Sequence, residues 1–590
     1  MDPKGLFKVF TNFGIVKDVF IPNKRRKMTR SRFGFVHYAF PVATSMAVQK
    51  AHGLWCDNRA LKVKEADYGK GKEVNQQSLK VLVRRWANGN TSRVPNMLSR
   101  KEMAGFMIVR SLHSPPHVLI FPLPFQGPVN SMLKLAELLC LSGLHVTFLV
   151  TDHIRSRLLR FTNIQSHFSR YPGFHLDSIS DGLPEDHPRL GDQFMEMFNA
   201  FQAVTKPLFR QMLLLPASAI APRPPVTFII ADGILSFTID VAKEIGLPIV
   251  CCCTISPCSL WLFFCLPILL QSGEFPFQEN ELDVLITCVP GMEGVLRRRD
   301  LPNFCRSGDP DDPNIRLFMT ERHQVPRADG LILNTFEDLE GPLLSQIRTL
   351  CPNLYTIGPL HAHLKARLAV DTAPASSFSS SSFRQEDRTC LSWLDEQPPK
   401  SVVYVSFGSL VTITEEQLVE FWVGLVNSGK RFLWVIRPDS MAGKEWESQI
   451  PTELREEAKK RGYIVGWAPQ EEVLGHPSVG AFLTHSGWNS TLESVFEGVP
   501  MICWPYFVDQ QINSRFVGEV WKLGLDMKDT CDRVIVEKMV NDVMDVRKEE
   551  FSRSAERMAN LARQSVSKGG FSSVNLDRLI EDIRSMSCQS

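Results

Sequence analysis

Between Trp467 and Gln510 the side chains stand in an order suited to holding an anionic, hydroxyl-rich ligand. A strand pattern, Val479–Thr484, runs straight into His485-Ser486-Gly487-Trp488-Asn489-Ser490, and a helical pattern continues through Phe496 to Gly498. Strand, glycine-bearing turn and helix start make a diphosphate cradle, because free backbone N–H groups and the positive end of the helix dipole face the anion. His485, Asn489 and Ser490 add hydrogen-bonding groups. Glu493 lies one turn beyond Asn489 on the same helix face, where a carboxylate can accept from a ribose diol. The next strand pattern, Pro500–Trp504, delivers Asp509 and Gln510, a carboxylate beside an amide. On pattern alone the same run also reads as an ordinary helix start with a solvated Glu493.

The elements that would position these groups alternate in kind. From His117 onward, short apolar runs alternate with amphipathic helices: strands over Val118–Phe121, His145–Val150, Val226–Ala231 and Pro248–Cys253, helices over Ser131–Leu141 and Ser236–Ile245. That rhythm predicts a parallel sheet covered on both faces. It breaks near 363–390, where Ser376–Ser382 is mostly serine, and restarts with strands at Val402–Ser406 and Arg431–Ile436. Between these two strands a helix is expected over Thr414–Asn427, with Thr414 and Gln417 as a capping box. The expectation is an α/β chain with two doubly wound domains in series and ligands at the carboxyl ends of the strands. The apolar stretch Ile249–Leu270 contains Pro257 and Pro267 and reads as a strand and a buried helix rather than a membrane span.

Charge divides the chain differently. Residues 1–101 hold 21 Lys and Arg against 6 Asp and Glu, while the whole chain of 590 residues has a net charge of only +2. A basic head therefore precedes an acidic body, which suggests two pieces with different partners. The 14 cysteines are scattered and none has metal-site spacing, so they read as free thiols in a reducing compartment. The start of the chain has no apolar signal-peptide core. Together these two observations lead to the expectation of a cytoplasmic protein.

The stretch WAPQEEVLGHPSVGAFLTHSGWNSTLESVFEGVPMICWPYFVDQ resembles the signature of plant secondary-product UDP-glycosyltransferases along nearly its whole length. The resemblance covers roughly residues 115–590. It implies two facing Rossmann-like domains of the GT-B type: an acceptor domain over 115–362, a linker over 363–390, a UDP-sugar domain over 391–560, and a C-terminal helix in 561–590 that packs back on the first domain. It implies that Trp467 stacks on the uracil while Ala468 and Gln470 complete the base and ribose contacts. His485, Asn489 and Ser490 would hold the diphosphate, and Glu493 the ribose hydroxyls. Trp488, Asp509 and Gln510 would face the sugar, with Gln510 marking glucose. Ser409 resembles a phosphate neighbour, and Thr254 a residue near the sugar's primary hydroxyl. Ser486 stands where the signature usually has cysteine. UDP-glucose is the implied co-substrate, with no metal or other cofactor. The segments YPGFHLDSISDGLPEDHPR and VPGMEGVLRRRDLP are similar to the iridoid-glucosylating branch, implying a small lipophilic terpenoid or phenolic acceptor.

In this family an Asp-activated His takes the acceptor's proton. FIIADGILSF matches the Asp at Asp232, which by pattern alone could instead cap the next helix. The family loop P-x-Q-G-H-x-N-P-M is here Pro124-Phe125-Gln126-Gly127-Pro128-Val129-Asn130-Ser131-Met132, so Pro128 occupies the base position. Three readings stay open. The chain binds the donor but transfers poorly; or it serves an acceptor already ionised, such as a carboxylate; or a substitute base acts. His153 is the nearest substitute by topology, whereas His117 lies at the wrong end of its strand.

Within the head, Ser31-Arg32-Phe33-Gly34-Phe35-Val36-His37-Tyr38 resembles the first ribonucleoprotein motif of an RNA recognition motif. The resemblance implies that Phe33 and Phe35 stack on bases, with Lys24–Lys27 and Arg30 as a basic loop. The expected order over 1–68 is helix (Leu6–Asn12), strand, basic loop, strand, helix, strand. That is a truncated, three-stranded version of the domain, with a linker after it over 69–114. The alternative function is an RNA-binding or donor-binding fusion protein without catalysis.

Overall fold

The computed structural model describes residues 115–189, 193–214, 224–307, 309–369, 382–437 and 452–588 in detail, and five strands of the head by their backbone. The expected helix Leu6–Asn12, the basic loop 24–30 and most of the serine run lie outside the described residues. The chain divides into two units, Met1–Gly105 and Phe106–Ser590.

The head strands are β1 (Val16–Phe20), β2 (Phe33–Tyr38), β3 (Trp55–Cys56), β4 (Arg59–Glu65) and β5 (Lys80–Arg85), paired antiparallel in the order β1-β2-β5-β4-β3. This corrects the three-stranded expectation. β5 comes from the segment read as linker and lies between β2 and β4. Six residues of Lys-Val-Leu-Val-Arg-Arg alternate too briefly to signal a strand without the neighbours that pair with them. In the backbone register Phe33 and Phe35 pair with Arg84 and Leu82, which pair in turn with Lys62 and Lys64.

The body holds two parallel sheets. The first contains β6 (His117–Phe121), β7 (His145–Thr151), β8 (Phe174–Ile179), β9 (Phe228–Asp232), β10 (Ile249–Cys253), β11 (Gly330–Leu333) and β12 (Leu354–Thr356), in the order β8-β7-β6-β9-β10-β11-β12. The second contains β13 (Val402–Ser406), β14 (Arg431–Val435), β15 (Gly462–Val465), β16 (Val479–Thr484), β17 (Met501–Cys503) and β18 (Gly524–Asp526), in the order β15-β14-β13-β16-β17-β18. β6, β9, β10, β11 and β13 are buried at every residue, as strands covered on both faces must be. Each order reverses once, between β6 and β9 and between β13 and β16. Those reversals are the switch points where open α/β sheets bind ligands.

Seven helices frame the sheets and the site: α1 (Gln126–Leu141), α2 (Phe237–Ile245), α3 (Pro257–Gln271), α4 (Pro313–Gln324), α5 (Glu415–Asn427), α6 (Trp488–Glu497) and α7 (Phe571–Ser587). α1 begins five residues before the expected Ser131 and takes Pro128 into its first turn. Its first intrahelical donor is Val129 N, bonded to Phe125 O at 3.0 Å. Proline at the third helical position therefore forfeits no hydrogen bond. α2 is preceded by Ser236, so Asp232 is not its cap. α3 is buried along most of its length and runs through Pro267. No helix among the described residues is long and apolar enough to cross a membrane. α5 has the Thr414–Gln417 capping box, and α6 ends at Gly498, whose φ of 68° suits glycine. The expected linker at 363–390 is shorter at both ends, because helix Leu360–Leu368 precedes it and helix Thr389–Asp395 closes it. α7 lays Leu576, Leu579, Ile580 and Ile583 into the core of the first domain, and Tyr355 donates to Asp582 at 2.7 Å.

Candidate active site

The two switch points face one another across a cavity of about 950 Å³. Every residue singled out for the donor and the catalytic pair lines it. From the first domain come Pro128, Asp232 and Thr254. From the second come Ser409, Trp467, Ala468 and Gln470, then His485, Trp488, Asn489, Ser490 and Glu493, and finally Asp509 and Gln510. His153 does not line the cavity. It sits near Arg189, Arg157 and Asp181, which removes the geometric basis for a substitute base there. His117 is bonded to Pro224 O and Thr147 Oγ1, both at 2.8 Å, as a buried packing group.

On the second domain's side, β16 ends at Thr484 and α6 opens at Trp488, so three residues make the turn. Two glycines make room for the imidazole of His485. A Cβ on Gly408 or Gly487 would lie 2.4 Å from its Nε2, and Gly408 has φ +70°. Burial, with Arg437 nearby, pushes the His485 pKa down to about 4, leaving the ring neutral. We expect Gly408→Ala to weaken UDP binding about tenfold or more, since it combines a left-handed backbone with a collision against the ring. Calorimetric titration with UDP measures this, and an unchanged Kd would detach this loop from the donor site.

Gln470 ties this wall of the cavity together, donating to Ser490 Oγ at 2.8 Å and Glu493 Oε2 at 2.7 Å. Burial and neighbouring Glu471 raise Glu493 to about 7. Burial also pushes Glu471 up, but Lys134, His361 and Lys365 more than offset it and hold that carboxylate well below its ordinary range. The Arg384 guanidinium lies 5.5 Å from the Trp467 ring centre.

Some groups already have protein partners. Asn489 accepts from Ser131 Oγ at 2.7 Å and donates to Gly127 O at 2.9 Å, so its side chain bridges the two domains. Trp488 Nε1 donates to Asn334 O at 2.8 Å. Gln510 Oε1 accepts from Tyr506 N and Phe507 N. Burial raises Asp509 to about 6 despite a bond from Asn513 Nδ2.

On the first domain's side, Asp232 is 2% exposed at the end of β9. It accepts from Ile234 N and Thr254 Oγ1, both at 3.2 Å. Burial raises its pKa, while Arg322 and these bonds pull it back. No described histidine bonds to it. Among the described residues no group of three His, Cys, Asp or Glu is placed to hold a metal.

A family model described as UDP-glucoronosyl and UDP-glucosyl transferase matches residues 381–553, and an RNA recognition motif model matches residues 1–62. A 7-deoxyloganetic acid glucosyl transferase of Catharanthus roseus is 58% identical over 473 residues, covering 80% of this chain and 98% of that protein. The chain belongs to the UDP-glycosyltransferase family. A myricetin 3-O-rhamnoside 1,2-glucosyltransferase of Crocosmia x crocosmiiflora is 44% identical, with 80% of this chain and 96% of that protein covered. The crystal structure of Os79 from O. sativa in complex with UDP superposes with a TM-score of 0.65 at 28% identity, covering 79% of this chain and all of that one. The body of this UDP-glycosyltransferase is thus a GT-B fold.

Sequence reasoning passed over Lys134 and Arg322, which line this UDP-glycosyltransferase's cleft, and Ser131 and Asn334, which hold Asn489 and Trp488 there. Ser131 and Lys134 come after Pro128 on α1, and a helix begun at Gln126 would have pointed to them. Lys134 reaches Glu471 in the other domain at 2.5 Å. Asn334, just after β11, and Arg322, on α4, had no local signal.

Proposed function

We propose that the chain is an inverting O-glucosyltransferase that uses UDP-glucose and a small lipophilic plant metabolite of the iridoid or a related terpenoid or phenolic class. The observation that carries this reading is convergence. Residues spread from Pro128 to Gln510 line one cavity between two switch points. The donor end has stacking, diphosphate-holding and diol-accepting groups. The acceptor end is walled by Phe125, Phe194, Phe304 and Phe318, which suits an apolar ring system. The Catharanthus relative, named for an iridoid acid, supports the acceptor class. Inversion requires the acceptor oxygen in line with the anomeric carbon and a group to take its proton. Asp232 stands at that end, but Pro128 offers no acceptor for a proton, so transfer to hydroxyls is slow. Incubating the purified full chain with UDP-glucose and a panel of hydroxyl and carboxyl acceptors tests this by UDP release. Absence of any affinity for UDP-glucose would overturn it.

A second reading concerns the head, where the backbone register aligns Phe33 with Arg84 and Lys62, and Phe35 with Leu82 and Lys64. Aromatic and cationic residues in register across adjacent strands suit single-stranded RNA. We expect the full chain to bind single-stranded RNA with salt-dependent affinity, and Val83→Pro to abolish this by breaking the central strand. No RNA bound at low salt removes the reading.

A further inference from the structure

Arg322 is a charged group of the cleft to which the family reading gives no task. It projects from α4, is 3% exposed, and lines the cavity at the acceptor end. Among the described residues its side chain makes one hydrogen bond, from Nη1 to the Cys253 sulfur at 3.4 Å, and its Nε has no partner. Burial holds that thiol in its neutral form, at about 11. The guanidinium also lies 5.9 Å from the centre of the Phe263 ring.

Three carboxylates feel its charge: Asp232, Glu321 and Asp509. Each is satisfied elsewhere. Asp232 is held by Thr254 and Ile234 N, Glu321 by Ser236 N, and Asp509 by Asn513. Among the described residues, the guanidinium bonds to the Cys253 sulfur and to none of the three carboxylates. A buried guanidinium without a contacting anion is costly, and it is satisfied best by a carboxylate that can take two parallel N–H bonds. Its position is also tightly set. A Cβ on Gly233, the residue after Asp232, would lie 3.4 Å from Nη1 and 2.6 Å from the Cys253 sulfur. The cation therefore stands beside the end of β9, next to the aromatic wall.

We propose that Arg322 anchors a carboxylate of the acceptor, so that the pocket selects small lipophilic acids and presents a hydroxyl of the same molecule for transfer. This rests on the reading of the cleft as a glucosyltransferase site. The acid's body lies against Phe194, Phe304 and Phe318, and its carboxylate accepts from the guanidinium. Attraction at contact outweighs repulsion from carboxylates beyond ion-pair distance, because Coulomb energy falls with separation. A neutral ester of the same skeleton leaves the cation unsatisfied and gains only the apolar contact. Arg322 is thus a specificity-determining residue, distinct from the donor groups.

The test is calorimetric titration of the full chain, saturated with UDP, with 7-deoxyloganetic acid and with its methyl ester at pH 7.5. The acid should bind about tenfold or more tightly than the ester, the gain expected for a charge-assisted pair. Arg322→Met should bring acid and ester to equal affinity, and Arg322→Lys should keep part of the preference. The acid–ester comparison on the unaltered protein decides the matter even where a variant is unstable. Equal affinities with UDP still bound overturn the anchor and leave the donor site standing. Failure of both compounds to bind overturns the acceptor pocket as well. A hydroxylamine-labile glucose ester as the product of UDP-glucose and the acid would show the carboxylate to be the nucleophile, which also overturns the anchor.

Discussion

Replacing Pro128 by histidine is expected to raise transfer to hydroxyl acceptors by about 100- to 10,000-fold, the usual contribution of a positioned general base. The geometry favours the exchange. Pro128 sits in the first turn of α1 and lines the same cavity as Asp232. The helix loses no hydrogen bond to proline there, so histidine has none to restore and thermal stability should change little. The other histidines lining the cavity are committed. His167 Nε2 pairs with Glu137 at 2.7 Å. His485 is enclosed in the donor turn. Burial drives His361 down to about 3, and its ring packs edge-on against Phe496. The measurement is kcat for UDP release, with KM for UDP-glucose as the control. Unchanged hydroxyl rates would sink the missing-base account.

An acceptor whose only nucleophile is a carboxylate separates base chemistry from a general improvement. Such a group is already ionised at pH 7. Pro128→His should therefore leave its rate within a few-fold while hydroxyl rates climb. Equal gains for both acceptors would mean that the substitution acts through packing or closure.

The body of the fold was legible because buried parallel strands and amphipathic helices leave strong periodic signals, as at Val402–Ser406 and Thr414–Asn427. Boundaries moved where local signals conflict. Pro128 and Gly127 read as loop residues, yet both fit a helix's first turn, so α1 begins earlier than its apolar pattern. β5 was missed because a six-residue strand is specified by its partners β2 and β4 as much as by itself. The second domain's share of the cavity lining was legible as a contiguous signature, but its partners were not. Lys134 and Arg322 meet the cleft, and Ser131 and Asn334 its lining residues, through tertiary packing across separations that no window of sequence spans.

Glu493 should make UDP-glucose binding pH-dependent near neutrality. Burial, reinforced by Glu471, raises its pKa to about 7, although Lys134 and the Gln470 bond pull the other way. A raised carboxyl is charged above that value and takes up a proton as pH falls through it. Charged, it accepts hydrogen bonds from a ribose diol strongly; protonated, it loses the charge that makes those bonds strong. Affinity should therefore be full near pH 8 and fall from pH 7 toward 6, with a limiting slope of about tenfold per pH unit. UDP-glucose is the probe of choice, because its diphosphate carries no proton that titrates in this window. Two neighbours set the controls. Asp509, raised by burial to about 6, adds a second, more acidic step, and His485, at about 4, stays neutral throughout. Glu493→Gln should weaken binding at pH 8 by about ten- to a hundredfold, the range for a charged hydrogen bond. It should also remove the step near 7 while keeping the one near 6, which Asp509→Asn should remove. A Glu493→Gln profile parallel to that of the unaltered protein would take Glu493 out of the ribose site, since a carboxyl that does not bind the diol has no proton to exchange for it.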